Sequence, residues 1–241
     1  MKNSYFQFKQ FIVHQEGCAM KVCTDSCLFG AWCAAEISFF NNCGKKLLDI
    51  GTGTGLLTLM VAQKNDLYFD AVEIEEEAGS MAYQNFQASP WKEKLTVQVQ
   101  DIANWKTDKK YDYIICNPPF YENELPSPNT NKNVAHHSQE LSLPDVVAFI
   151  NQLLSDDGFF FLLLPFKRKK EIENRLLKEG FFLYKSITVS PSNSHHPFRL
   201  LLQGGRKKPA TTEDFEMAIC TEGRNYSPQF KSLLKDYYLH L

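Results

Sequence analysis

Four features of the chain have residue types and spacing that could do chemistry. Asp49-Ile-Gly51-Thr-Gly53-Thr-Gly55 is a glycine-rich run with a carboxylate at its head, Glu73 follows about twenty residues on, Asp101 and Ile102 close Val97-Gln-Val-Gln, and Asn117-Pro118-Pro119-Phe120 follows the apolar Tyr111 to Cys116. Glycines packed so closely permit left-handed backbone and the approach of a ligand to the main chain. At the mouth of a helix they also place that ligand where polar or anionic groups are favoured. Taken alone, the turn suits nicotinamide, flavin and sulfonium nucleosides alike. A carboxylate such as Glu73, at the end of the following strand, is placed to accept hydrogen bonds from ribose hydroxyls.

Two details narrow the choice. Gly51-x-Gly53-x-Gly55 lacks the two-residue gap before the third glycine that marks dinucleotide sites. Asp49 would repel a pyrophosphate but attract an ammonium. The combination points to S-adenosylmethionine, with Asp101 accepting from the adenine amino group and Ile102 packing near the ring. Asn117 to Phe120 then reads as the acceptor side. An amine conjugated to an aromatic ring or carbonyl is a weak nucleophile; the Asn117 side-chain oxygen and the Pro118 carbonyl could hold its N–H groups in line with a methyl donor. The Pro118-Pro119 backbone would fix those acceptors and Phe120 would offer a planar face. No strong base is required, because the amine becomes acidic as it takes on positive charge.

The elements that must position these residues alternate. Lys46 to Ile50 reads as a buried strand, Thr54 to Lys64 as a helix, Leu67 to Ile74 as a strand, and Glu75 to Ala88 as a helix. Leu95 to Gln100 and Tyr111 to Cys116 are further strands. Leu143 to Leu154 is a helix, Gly158 to Leu164 a strand, Lys167 to Glu179 a basic amphipathic helix, and Phe181 to Val189 and Phe198 to Gly204 the last strands. The pattern predicts an α/β, Rossmann-like fold: a seven-stranded, mostly parallel sheet with an antiparallel last strand and helices on both faces. Phe159, Phe160, Phe161, Phe181 and Phe182 read as core. The polar stretch Tyr121 to Gln139 is too long for an idle connection.

Composition sets the outer limits. The 241 residues carry a net charge of -2, which excludes a protein that coats nucleic acid by bulk positive charge and leaves only local basic clusters, Lys167-Arg168-Lys169-Lys170 and Arg206-Lys207-Lys208. No apolar run suits a membrane span and Met1 to Gln10 lacks a secretory core, so the expectation is a cytoplasmic protein with no membrane partner. Seven cysteines without a C-x-x-C pair read as reduced thiols, not a zinc site, and the Asn225-Tyr-Ser227 sequon then has no role. His136-His137 and His195-His196 have no third partner at ligand spacing, so no metal is expected; His195, His196, Phe198 and Arg199 could touch RNA.

The glycine run together with Asn117-Pro-Pro-Phe120 resembles class I S-adenosylmethionine-dependent methyltransferases acting on exocyclic or amide nitrogens. Phe8-Lys-Gln-Phe11, Cys18-Ala-Met-Lys21-Val-Cys-Thr24-Asp25-Ser26-Cys-Leu-Phe-Gly30-Ala-Trp32 and Tyr226 to Leu241 are similar to the two ends of the bacterial tRNA1(Val) (adenine(37)-N6)-methyltransferase family. The resemblance spans essentially the whole chain, with Phe120 where Tyr is commoner. It implies methylation of the adenine 3′ of the anticodon in a valine tRNA, the base being flipped against Asn117, Pro118, Pro119 and Phe120. Asp49, Gly51 and Gly53 would surround the methionine half of the cofactor, Glu73 its ribose, and Asp101 with Ile102 its adenine. Asn117 would border the cofactor too, and Lys21, Thr24 and Asp25 would lie in a segment closing over it. The implied organisation is a monomeric single domain: a covering segment 1–45, a core 46–206 and an extension 207–241. Relatives of the same chemistry methylate a guanine amine in ribosomal RNA or a glutamine amide in a protein. A non-catalytic RNA-binding scaffold that keeps a vestigial cofactor site is the remaining alternative.

Overall fold

The computed structural model describes residues 4–18, 20–119, 141–221 and 225–241. An antiparallel hairpin of β1 (Tyr5–Gln7) and β2 (Ile12–His14) precedes α1 (Thr24–Ile37). The core then runs β3 (Lys46–Ile50), α2 (Leu56–Ala62), β4 (Tyr68–Glu73), α3 (Glu76–Gln87), β5 (Leu95–Val99) and β6 (Tyr111–Cys116). It continues through α4 (Leu143–Leu153), β7 (Leu154–Pro165), α5 (Lys169–Lys178), β8 (Phe182–Ser192), β9 (Arg199–Gly205), β10 (Glu213–Cys220) and α6 (Pro228–Leu234).

Among the described residues the sheet has eight strands in the order β10-β8-β9-β7-β6-β3-β4-β5, and of these β9 alone runs against its neighbours. Two expectations are corrected here. The strand number is eight, not seven, and the antiparallel strand is not the last in the chain, because β10 adds in parallel outside β8. β10 escapes a reading by pattern because its sequence, Glu213 to Cys220, is acidic at 213, 214 and 216 and only half-covered, as suits an edge. The sheet thereby takes in part of the stretch expected as an extension from 207.

Parallel strands buried on both faces lose alternation, which is why Leu47, Leu48 and Ile50 are all inaccessible in β3. One face of the sheet is packed by α1, α2, α3 and α6, the other by α4 and α5. α4 begins on a capping box between Ser142 and Asp145. α1 has almost no exposed face and so shows no amphipathic period to find in sequence. At Gly30 it comes so close to α2 that a Cβ would lie 2.7 Å from Met60 Sδ. Asn85 of α3 ties the hairpin to the glycine turn: its Oδ1 accepts from His14 N–H, and its Nδ2 donates to the carbonyls of His14 and Thr54. The buried Tyr237 hydroxyl donates to the Met60 carbonyl at 2.9 Å and fastens the segment after α6 to the same layer. Among the described residues, no helix is long and apolar enough to cross a membrane.

Candidate active site

Ile50 is in register with Val72 on one side and Cys116 on the other. Gly51 and Asn117 therefore leave adjacent strands side by side, and Glu73 ends the strand beyond. This is the switch point of the sheet, where connections diverge and a crevice opens at the carboxyl ends.

The turn after β3 is built on left-handed glycines: Gly51 and Gly53 have φ of 70° and 57°, and nothing lies within 4 Å of where a Cβ would stand. That open space faces a possible ligand, not protein. Gly55 differs, since a Cβ there would lie 2.5 Å from the Phe86 ring, so its bareness lets α3 close on the turn. The N–H groups of Gly51 and Thr52 donate to the Val72 carbonyl, that of Gly53 to Glu73 Oε2 at 2.7 Å, and that of Gly55 to the Thr52 carbonyl. With these donors engaged, the turn is no cradle for a pyrophosphate.

Asp49 is wholly buried. Its Oδ2 accepts from the hydroxyls of Thr52 and Thr58 at 2.7 and 2.8 Å, while Oδ1 has no partner. Burial pushes the carboxyl up to about 6 against the pull of those hydroxyls, and the charge of Glu73 adds to the rise. Glu73, 8% exposed, receives Gly53 N–H on one oxygen and Glu75 N–H on the other. Two fixed carboxylates, one with an orphaned oxygen, beside an open glycine turn fit a ligand bearing an ammonium and a ribose, and S-adenosylmethionine has both.

Asp101 caps a short turn over Ile102–Asn104 by accepting from Ala103 N–H at 2.9 Å, and Ile102 packs into the core beneath. Asn117 donates through Nδ2 to Ser26 Oγ at 3.1 Å, and its Oδ1 is shielded from water and without a partner. An acceptor left unmade in this way costs about 1–3 kcal/mol unless a ligand supplies the donor. Pro118 is buried and Pro119 half-buried. Phe120, the stretch 121–139 and His136-His137 lie outside the described residues.

In the segment expected to cover the cofactor, Lys21 is exposed and Thr24 opens α1. Asp25 pairs with Arg199 Nε at 2.7 Å; burial works to raise its carboxyl, but hydrogen bonds from the Cys23 thiol and from Arg199 outweigh it and hold it below the usual value. Arg199 is engaged with Asp25 through Nε, and His195 Nδ1 shares a hydrogen bond with Ser192 Oγ at 2.7 Å. Phe160, Phe161 and Phe181 are fully buried, whereas Phe159 and Phe182 are only partly so. Among the described residues, no group of three or more His, Cys, Asp or Glu is placed to hold a metal.

Residues 36–143 match the methyltransferase small domain family. The chain is 37% identical to the tRNA1(Val) (adenine(37)-N6)-methyltransferase of Dyadobacter fermentans over 242 residues, 99% of this chain and 98% of that one. The chain belongs to this methyltransferase family. The homologue of the same name from Parabacteroides distasonis is 35% identical over the full length of both chains. Among solved structures, the ribosomal protein L11 methylase of Lactobacillus delbrueckii subsp. bulgaricus superposes with a TM-score of 0.53 at 18% identity, over 74% of this chain and 77% of that one, a likeness of fold.

Placed in this methyltransferase family, the site contains residues that reading the sequence did not single out. Thr52 and Thr58 hold Asp49, and their positions within the turn and the next helical turn are a usable signal. Asn85 and Ser26 gave none, because each acts on a partner far along the chain.

Proposed function

We propose that the chain transfers a methyl group from S-adenosylmethionine to N6 of adenine 37 in tRNA1(Val), acting as a cytoplasmic monomer. The observation that carries this reading is the orphaned Oδ1 of Asn117, an acceptor held dry beside the glycine turn. Full-length identity to relatives bearing that name supports it.

When bound, S-adenosylmethionine supplies an electrophilic methyl on its sulfonium. Asp49 draws the ammonium, with Gly51 and Gly53 leaving room for the methionine chain; Glu73 accepts from the ribose, and Asp101 with Ile102 receives the adenine. Lys21 and Thr24 belong to the segment that covers it. Asn117 Oδ1 and the Pro118 carbonyl take the two N–H bonds of the target amine, which turns its lone pair toward the methyl. Pro119 stiffens that backbone and Phe120 gives the base a face. The neutral amide suffices as acceptor, because the nitrogen loses a proton readily once it is alkylated. An adenine in a single-stranded anticodon loop is cheaper to splay out than one in a duplex.

The RNA backbone needs cations near this edge. Lys167 to Lys170 follow β7, whose exit is fastened to the entry of β9 by the bond from Phe166 N–H to the Phe198 carbonyl, one strand from Asn117. Lys167 and Lys170 are exposed there and suit phosphates.

The test is transfer of labelled methyl to unmodified bulk tRNA, ribosomal RNA and release factor, with the product identified by mass spectrometry. N6-methyladenosine in tRNA alone, lost when adenine 37 is replaced, is expected. Label in guanine or glutamine would overturn the substrate.

A further inference from the structure

Thr54 stands between Gly53 and Gly55, both left-handed, so the main chain on either side of it has the freedom of glycine and needs an outside support to hold one shape. Asn85 of α3 supplies it. Its side chain is 1% exposed and makes three hydrogen bonds: Nδ2 donates to the carbonyls of Thr54 and His14 at 2.9 and 3.0 Å, and Oδ1 accepts from His14 N–H at 2.9 Å. All three partners are main-chain groups, whose roles as donor or acceptor are fixed, so the amide can stand only one way round. His14 ends β2. The next residue, Gln15, is buried, donates its N–H to the Ser4 carbonyl and accepts Val22 N–H on Oε1 at 2.8 Å, shortly before Thr24 opens α1. One carboxamide thus stands between the glycine turn and the segment that carries Lys21 and Thr24.

We infer that Asn85 is a positioning residue for the cofactor: it fixes the Thr54 carbonyl within the glycine turn and sets the N-terminal segment against that turn, so that the two are in register before the cofactor binds. Phe86, next to it, fills the space behind Gly55, and the two side chains make α3 the rear support of the turn. Asn85 does not enter the open space in front of Gly51 and Gly53, so it acts through the turn and not on the ligand. The hairpin has other attachments, the bond from Lys9 N–H to the Tyr237 carbonyl at 2.8 Å and the buried Phe8, Phe11 and Val13. Loss of Asn85 should therefore loosen the alignment without detaching the hairpin. This inference rests on the reading that places S-adenosylmethionine at the glycine turn, and it needs nothing about the acceptor.

The experiment compares Asn85→Asp, Asn85→Ala, Asp49→Asn and Tyr237→Phe with the parent. Asn85→Asp keeps the shape and the acceptor oxygen but sets a second oxygen against two carbonyls. S-adenosylmethionine affinity by calorimetry should weaken about tenfold in both Asn85 variants, while kcat at saturating cofactor stays within about twofold. Tyr237→Phe, which removes a buried hydrogen bond from the same layer, controls for a general loss of stability and should bind the cofactor as the parent does. The second readout is backbone amide exchange by NMR with and without S-adenosylmethionine. Bound cofactor should slow exchange at His14 and Val22 beyond any change in α5, and should not do so in Asn85→Asp. In the parent this measurement needs no variant, so it decides the matter even where an Asn85 variant fails to fold. Parental affinity in Asn85→Asp, an equal loss in Tyr237→Phe, or His14 and Val22 amides indifferent to the cofactor in the parent would each overturn the role of Asn85. Parental affinity in Asp49→Asn would instead overturn the placement of the cofactor at the turn.

Discussion

The turn after β3 and the asparagine after β6 leave neighbouring strands, yet they are held in contrasting ways. Asp49, Thr52 and Thr58 lie within ten positions of one another, and the turn's N–H groups bond to itself and to the adjoining strand. Asn117 is held by Ser26, 91 positions away, at the first turn of a helix whose neighbouring Asp25 is itself paired with Arg199, 174 positions on. The proposed cofactor side is local and, Asn85 apart, self-supporting; the proposed acceptor side is assembled from the tertiary structure. A substitution on the first side should therefore change donor affinity, and one on the second should change transfer.

Asn117→Ala breaks the comparison most severely if it is wrong. Transfer should fall about a hundredfold or more, by analogy with loss of one preorganised hydrogen-bonding group at a reacting centre, while S-adenosylmethionine titrates as in the parent. A matching loss of cofactor affinity would erase the division between the two sides.

Asp49→Asn should act in the opposite sense, weakening cofactor affinity about tenfold at neutral pH as a charged partner is lost. The pH dependence sharpens this. With the carboxyl raised to about 6, the free protein is protonated below that value, and an ammonium prefers the ionised form, so affinity should fall up to about tenfold per unit below pH 6 in the parent and stay flat in the variant. The sign for stability is reversed. The folded chain holds this proton to higher pH than an ordinary carboxyl at 3.8, so the group's contribution is full below about 4 and is lost as pH rises through 6, measurable by denaturant midpoints.

Gly55→Ala tests the local side by packing. The position has φ of 83° and no room before Phe86, so a loss of about 1–3 kcal/mol in unfolding free energy is expected. The smallest effect belongs to Lys167→Ala with Lys170→Ala. KM for tRNA should rise a few-fold and the slope of log affinity against log salt should flatten by about one to two, with cofactor affinity unchanged.

The same contrast explains how much could be read from the sequence. Asp49, the glycines and Glu73 sit on one βαβ unit, and a unit of that kind writes its turn chemistry into consecutive residues, so the fold class and the cofactor were legible, with the residues proposed to hold it. Asn117-Pro118-Pro119 was legible as a motif, but its hydrogen-bond partner was not, because Ser26 lies in a helix buried nearly all round that shows no period. Asp25 was expected over the cofactor, and its pairing with Arg199 needed the antiparallel β9 to bring the guanidinium across. β10 was missed for a different reason: Phe215, Met217 and Ile219 do alternate, but Glu213, Asp214 and Glu216 among them make the stretch read as a polar connection.

The tyrosine that fastens the final segment has a consequence for the growing chain. Met60 waits for Tyr237, 177 residues later, before its carbonyl and the face of α2 around it are covered. At the usual pace of a ribosome that is on the order of ten to thirty seconds during which α1 and α2 present apolar surface. A nascent chain arrested before Tyr237 would carry the whole cofactor turn and still be a client for chaperones.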